Sequence, residues 1–225
     1  MPLAERYFGW MERRPEPTRV KAVEPLPEAE RRLVWRSDVL PPRVEVRYLV
    51  PGVGHPDRPR FDVVAKVAAA ELAGALDAAG VPGRADANFL VVHTSRFGMP
   101  ASLNVELVLA READLERAEA LLHATLDRLA AVPVADDAIA QAQKKLRTEW
   151  HRVERNADAL AFEIGHFFTM DRWQTLEQYL NARQATTAAD VARLAARYFI
   201  PENRTVGVVR ARTALRTDAG AGGAR

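Results

Sequence analysis

The stretch HRVER, His151 to Arg155, comes closest in this chain to a set of residues that could do chemistry. In the pattern H-x-x-E-H, two imidazoles one helical turn apart hold a zinc ion and the glutamate between them serves as base. HRVER is one residue short of that pattern, because Arg155 stands where the second imidazole would be. A guanidinium is permanently protonated and repels a metal cation. The helical phase points the same way. Ile139, Ala142, Leu146, Trp150, Val153, Ala157, Leu160, Ile164 and Phe168 recur at three- and four-residue steps, which predicts one long helix with a continuous apolar stripe. At about 100° per residue, His151 falls roughly 130° and Arg155 roughly 170° from the centre of that stripe. HRVER therefore reads as helix surface.

The remaining histidines give no ligand pair. His123 flanks the stripe of its own helix with Glu119 one turn earlier, which predicts a surface hydrogen-bonded pair. His93 shares a strand face with Phe89 and Val91, where a half-buried, satisfied imidazole is expected. His55 lies in a turn and His166 on the polar side of its helix. No G-x-S-x-G elbow and no phosphate-cradling glycine loop occurs. With no cysteine, the chain can form neither disulfides nor thiolate zinc sites, and no cysteine nucleophile is available.

The chain has 225 residues, 48% of them hydrophobic and 28% charged, the balance of a globular domain able to bury a sizeable core. Its net charge of +2 is too small for a nucleic-acid partner, and the arginines alternate with acids along helices as solvated faces do. No apolar run approaches the ~18 residues of a membrane span, and the N-terminus lacks the pattern of a signal peptide. These features leave the periplasm and the cytoplasm both open.

The elements that would position such residues follow from periodicity. After a short helical end closed by Gly9, the proline-rich stretch 13–30 predicts an extended linker. RRLVWRS (31–37) and RVEVRYLV (43–50) alternate as strands, with Leu33 and Trp35 on one face of the first. In the second, Val44, Val46, Tyr48 and Val50 oppose Glu45 and Arg47. A helix follows over about residues 60–79, ended by Gly80 and Pro82. A second strand pair, 87–95 and 101–110, flanks the loop RFGMP, and Leu103, Val105, Leu107 and Leu109 oppose Asn104 and Glu106. Helical segments cover 112–131 and the long stretch from Asp136, then a region from Thr175 that is re-capped at Thr187 by T-A-A-D. TVGVVRA is a final strand and residues 213–225 read as a disordered tail. Strands with a single apolar face need cover on that face only. The expected fold is α+β, an antiparallel sheet with helices packed on one side. The expected organisation is a preceding end and linker (1–30), one α+β domain (31–212) and the tail.

In this order and spacing, five stretches resemble the C-terminal half of M16 (pitrilysin/mitochondrial-processing-peptidase) zinc peptidases, a LuxS/MPP-like fold. They are RYFGWMERRPEP (6–17), GHPDRPRFDVVAKV (54–67), DLERAEALLHATLDRLA (114–130), VADDAIAQAQKKLRTEW (134–150) and TTAADVARLAARYFIPENRTVGVV (186–209). The last is the most specific. The resemblance implies two similar halves closing as a clamshell around a chamber, with H-x-x-E-H and zinc in the first half and no metal in the second. It thus implies no cofactor in this chain, a zinc-bearing catalytic half or subunit as partner in cis or in trans, and peptide as substrate. It also implies that the polar sheet face carrying Glu45, Arg47, Asn104 and Glu106 looks into the chamber, where these residues would touch peptide; the alternative is a merely solvated face. The chain departs from the family pattern at AAAELAGALDAAGVPGRADANFL (68–90), where a glycine-rich turn, a basic segment and a tyrosine are usual and Arg84 is the basic residue present. No peptide-gripping arginine–tyrosine pair is assigned there. Met1–Pro2 falls where the family has helix, as expected of a truncated or split subunit. Two functional readings follow: a non-catalytic half that encloses substrate, or an inactive structural subunit with no part in proteolysis. An unrelated α+β binding domain is a third.

Overall fold

The computed structural model describes residues 2–12, 15, 27–52, 54–90, 101–170 and 175–211. Five strands form one sheet in the order β1-β5-β2-β4-β3: β1 Arg31–Ser37, β2 Arg43–Val50, β3 Gly83–Leu90, β4 Ala101–Leu109 and β5 Arg204–Ala211. Among the described residues seven helices accompany it: α1 Pro2–Phe8, α2 Arg58–Ala78, α3 Leu115–Ala131, α4 Asp136–Glu154, α5 Ala157–Met170, α6 Thr175–Gln184 and α7 Ala188–Tyr198. Helices α2, α3 and α7 lie on one side of the sheet, and α4 and α6 pack against α2. The α+β architecture with helices on one face is the expected one. No helix of the described residues is long and apolar enough to cross a membrane.

Period-2 alternation explains the sheet. Val44, Val46, Tyr48 and Val50 of β2 and Leu103, Val105, Leu107 and Leu109 of β4 all point into the helical layer and are buried, where they join Val206 and Val208 of β5. Tyr48 stacks on Phe199 with ring centroids 4.8 Å apart, and Phe61 of α2 meets Tyr198 edge-on at 5.3 Å. Helix α2 ends in a Schellman turn: Gly80 adopts φ 64°, Val81 N donates to Leu76 O and Gly80 N to Asp77 O. The T-A-A-D signal is a true capping box, with Thr187 and Asp190 exchanging side-chain and backbone bonds at the start of α7.

The structure departs from the sequence reading in four places. The sheet is mixed, because β1 runs parallel to β5 while the β2–β4, β2–β5 and β3–β4 pairs are antiparallel. Leu33 and Trp35 are 58% and 40% exposed, since their register with Gly207 and Val209 puts them on the face opposite the helices. Strand β3 starts at Gly83, four residues before the expected start at 87; residues 91–95 of that expected strand lie outside the described residues. The long helix is two helices. Asn156 interrupts it and caps α5 by accepting a bond from Ala159 N at 3.0 Å. Ile139, Ala142 and Leu146 are buried as expected, but beyond the break the apolar positions turn outward, and Phe162 and Phe168 are exposed. The expected linker lies mostly, and the expected tail 213–225 wholly, outside the described residues.

Candidate functional site

The face of the sheet opposite the helices is open, and it carries the polar residues picked out by alternation. Register sets them side by side. Glu45 of β2 is the direct partner of Glu106 of β4, and Arg47 is the partner of Asn104. The four residues thus form a two-by-two patch across the central pair of strands. The rows continue outward: Glu106 pairs with Asp86 and Asn104 with Asn88 on β3, while Glu45 pairs with Gly207 on β5. Asp86, Glu106 and Glu45 therefore make a line of carboxylates across three strands. Arginines flank the line, with Arg43 reaching Glu106 at 3.5 Å and Arg47 reaching Glu45 at 4.0 Å. At these distances the ions attract without direct hydrogen bonds.

The patch holds hydrogen-bonding capacity that the fold does not use. Asn104 is only 4% exposed, and its Oδ1 has no hydrogen-bond partner. The buried Nε atoms of Arg43 and Arg47 are likewise without hydrogen-bond partners. Buried polar atoms are normally satisfied, so these three leave a local deficit of hydrogen-bond partners on this face. Gly207 contributes by absence of a side chain. A Cβ there would lie 2.9 Å from Glu45 Cγ, so the glycine lets Glu45 lie across β5. Toward the β1 edge the surface becomes apolar, because Leu33 and Trp35 project from this face beside Gly207 and Val209. The patch thus offers charge, amide groups and an aromatic edge on a flat support.

Alternation alone identified Glu45, Arg47, Asn104 and Glu106. It missed Arg43, Asp86, Gly207, Leu33 and Trp35, which join the patch only through strand order and register. Asp86 was hidden because its strand was expected to begin one residue later.

HRVER lies elsewhere, on the outer surface of α4. The side chain of His151 is 67% exposed and its Nδ1 is 2.7 Å from Glu154 Oε2. Arg155 is the C-cap residue of α4, past its last turn. Both residues point away from the core, as the helical phase predicts. His123 belongs to a chain of polar contacts between α3 and the sheet: its Nδ1 is 3.0 Å from Arg204 Nη1 and its Nε2 3.7 Å from Glu119 Oε1, while Glu119 also binds Arg32. Burial, aided by the Arg204 charge, pushes the His123 pKa down despite Glu119. Glu119 and His123 face each other as expected, but at 3.7 Å they make a polar contact rather than the expected hydrogen bond, and Arg32 and Arg204 hold the two groups. His55 accepts from Asp57 N in its turn. His166 corrects the expectation of a polar helix side: it is half-buried and stacks on Phe162, because the break at Asn156 resets the helical phase. His93 lies outside the described residues. Among the described residues, no group of three or more His, Asp or Glu is placed to hold a metal ion.

No protein-family profile and no curated protein matches the chain. Solved structures do. A protease from Helicobacter pylori superimposes with a TM-score of 0.79 at 16% identity, over 93% of this chain and 51% of that one. The inactive peptidase domain of a protein from Bordetella parapertussis gives 0.70 at 21% identity, over 82% and 98%. A peptidase M16 inactive domain from Pseudomonas fluorescens gives 0.69 at 12% identity, over 88% and 47%. The chain therefore has the fold of M16 peptidase domains, including inactive ones, as the sequence resemblance implied. It spans about half the length of the Helicobacter pylori protease, 51%.

Proposed function

We propose that the chain is the C-terminal, non-catalytic half of an M16-type zinc endopeptidase, and that its open sheet face forms one wall of a chamber for peptide. The observation that carries this reading is the patch of Glu45, Arg47, Asn104 and Glu106, where Asn104 Oδ1 and Arg47 Nε are buried without hydrogen-bond partners. An extended peptide presents alternating N–H and C=O groups, the groups such atoms lack. Mixed charge and a flat support suit sequence-tolerant contact rather than a deep specificity pocket. In this reading a partner half, in cis or in trans, would hold the zinc and supply the hydrolytic chemistry. This chain's residues bind and orient the peptide.

The test is reconstitution. The chain is purified with H-x-x-E-H proteins from the same source, and cleavage of an unstructured peptide is followed with and without it. Cleavage should require or be raised severalfold by the chain, and Arg47→Ala combined with Asn104→Ala should raise KM more than it lowers kcat. If no such partner associates and proteolysis is indifferent to the chain, the peptidase reading fails. The second reading, an inactive structural subunit, would then hold. It is favoured by the departure from the family pattern at 68–90, where Arg84 lies on the outer strand β3.

A further inference from the structure

Strand β1 forms one edge of the sheet. Among the described residues it pairs with β5 alone, parallel and in register from Arg31 to Ser37. In a strand paired on one side, the main-chain N–H and C=O groups of alternate residues point outward. β1 therefore presents a row of donors and acceptors spaced for another extended chain. The strand holds no proline and its pairing with β5 runs without a bulge, so nothing in the backbone blunts this edge.

The side chains add two requirements. The first is apolar contact on both faces. Leu33 and Trp35 stand exposed on the open face beside Gly207 and Val209. Val34 stands on the helical face beside the buried Val208, yet it is still 53% exposed. The helical layer thus stops short of the outer edge, and a strand added there finds an apolar neighbour on each face. The second requirement is charge. Arg31, Arg32 and Arg36 are all exposed. Glu119 of α3 takes two guanidinium nitrogens of Arg32. Arg31 and Arg36 have no carboxylate partner among the described residues, and Arg36 reaches only the Ala211 carbonyl, at 3.3 Å. By alternation Arg31 belongs to the open face and Arg36 to the helical face, about 17 Å apart along the strand.

We infer that the β1 edge docks an extended segment of another protein as an added strand, apolar at its centre, with one acidic residue opposite Arg31 and one opposite Arg36. Main-chain bonding along the strand supplies the contact, and a charge-assisted pair at each end fixes the register. A second copy of this chain fits less well. The two-fold pairing that uses all of β1 is centred on Val34 and sets Arg32 opposite Arg36 twice. Like charges directly opposite destabilise a sheet. The docking needs no zinc-bearing partner and does not depend on the proposed peptidase role.

Titration of the full chain with three capped peptides tests the inference: Glu-Val-Thr-Val-Thr-Glu, its counterpart with lysine at both ends, and the acidic peptide N-methylated at every residue. Fluorescence anisotropy of labelled peptide reads binding, and hydrogen exchange reads the amides of β1. The acidic peptide should bind at least tenfold tighter than the lysine peptide and slow exchange of the outward amides within 31–37 at least tenfold. The N-methylated peptide should do neither. Arg31→Glu combined with Arg36→Glu, both at exposed positions, should reverse the order of the acidic and lysine peptides. Equal binding of those two, binding of neither, or protection confined to other strands overturns the inference, and these comparisons need no variant to fold. Sedimentation of the chain without peptide covers the remaining case, because a dimer that protects the β1 amides gives the edge to a second copy and overturns the inference too. The reconstitution assay can fail while this titration succeeds, and the reverse.

Discussion

Replacing Asp62 by alanine removes the carboxylate shared by Arg58 and Arg183 and leaves both guanidiniums in place. Asp62 of α2 accepts from Arg58 Nη1 at 2.9 Å and from the Tyr179 hydroxyl at 3.0 Å, and Arg183 Nε of α6 lies 3.4 Å from its Oδ2. Their side chains are 12% and 11% exposed, and that of Asp62 is 16% exposed. Breaking a buried pair by removing one partner costs on the order of 3–5 kcal/mol, because a charge is left without compensation. The residual exposure of all three groups lets some water reach them, which places the expected loss near the lower bound, about 3 kcal/mol. Tyr179→Phe removes a single bond, and Asp62 keeps its arginines, so the loss should be about 1 kcal/mol. Coupling gives the sharper check. In Asp62→Ala combined with Arg183→Met, the Arg183 charge that lost its carboxylate is gone, and the double variant should be more stable than the sum of the single losses by at least about 1 kcal/mol. Urea unfolding followed by far-ultraviolet circular dichroism measures all four proteins, with the slope checked for two-state behaviour. A loss below about 1 kcal/mol for Asp62→Ala, or strict additivity in the double variant, would refute the account of Asp62 as the charge that ties α6 to α2.

The break at Asn156 changes what the α4 stripe is worth. Leu146→Ala, at a buried position, should cost about 2–4 kcal/mol, whereas Trp150→Ala should cost distinctly less because Trp150 is half-buried; equal losses in thermal melts would put Trp150 back in the core. His123 predicts a pH dependence. Its pKa is lowered on folding, so the unfolded chain binds the proton first and stability falls as pH drops below the unfolded value of about 6.5. His123→Gln should flatten that slope just below about pH 6.5, and an unchanged slope would show that another group carries it. Protein washed with chelator should carry far less than one zinc per chain by elemental analysis, since His151 is on the α4 surface and Arg155 beyond its last turn; one tightly held zinc would overturn the reading of HRVER.

What was legible in the sequence is what local periodicity and capping chemistry determine. The faces of β2 and β4 followed from alternation, and Thr187 with Asp190 announced the start of α7. The misreadings have equally specific causes. Across Asn156 the apolar spacing from Val153 to Ala157 and Leu160 stays helical, so periodicity ran through an interruption that only the capping side chain reveals. The segment Gly83 to Asp86 contains no β-branched or aromatic residue, and pairing with β4 rather than propensity makes it strand. Leu33 and Trp35 alternate as a half-buried strand does, yet which face of β1 meets the helices is set by its pairing with β5, which no local pattern encodes.

The same distinction separates the open sheet face from the ionic cluster around Asp62. Glu45, Arg47, Asn104 and Glu106 could be named in advance because an open face is written in period 2, one strand at a time. The cluster could not, because Asp62 and Tyr179 meet across 117 positions of chain and Arg183 joins them from one turn further along α6. Asp62 sits beside Phe61, Val63 and Val64, which are fully buried, so a charge there demands partners; Arg58 one turn earlier on α2 is one, and α6 brings Tyr179 and Arg183. An acid inside an apolar stretch of α2 was therefore a visible signal that a basic or hydroxyl group must come to it. Which hydroxyl and which second arginine come to it is set by the packing of α6 against α2.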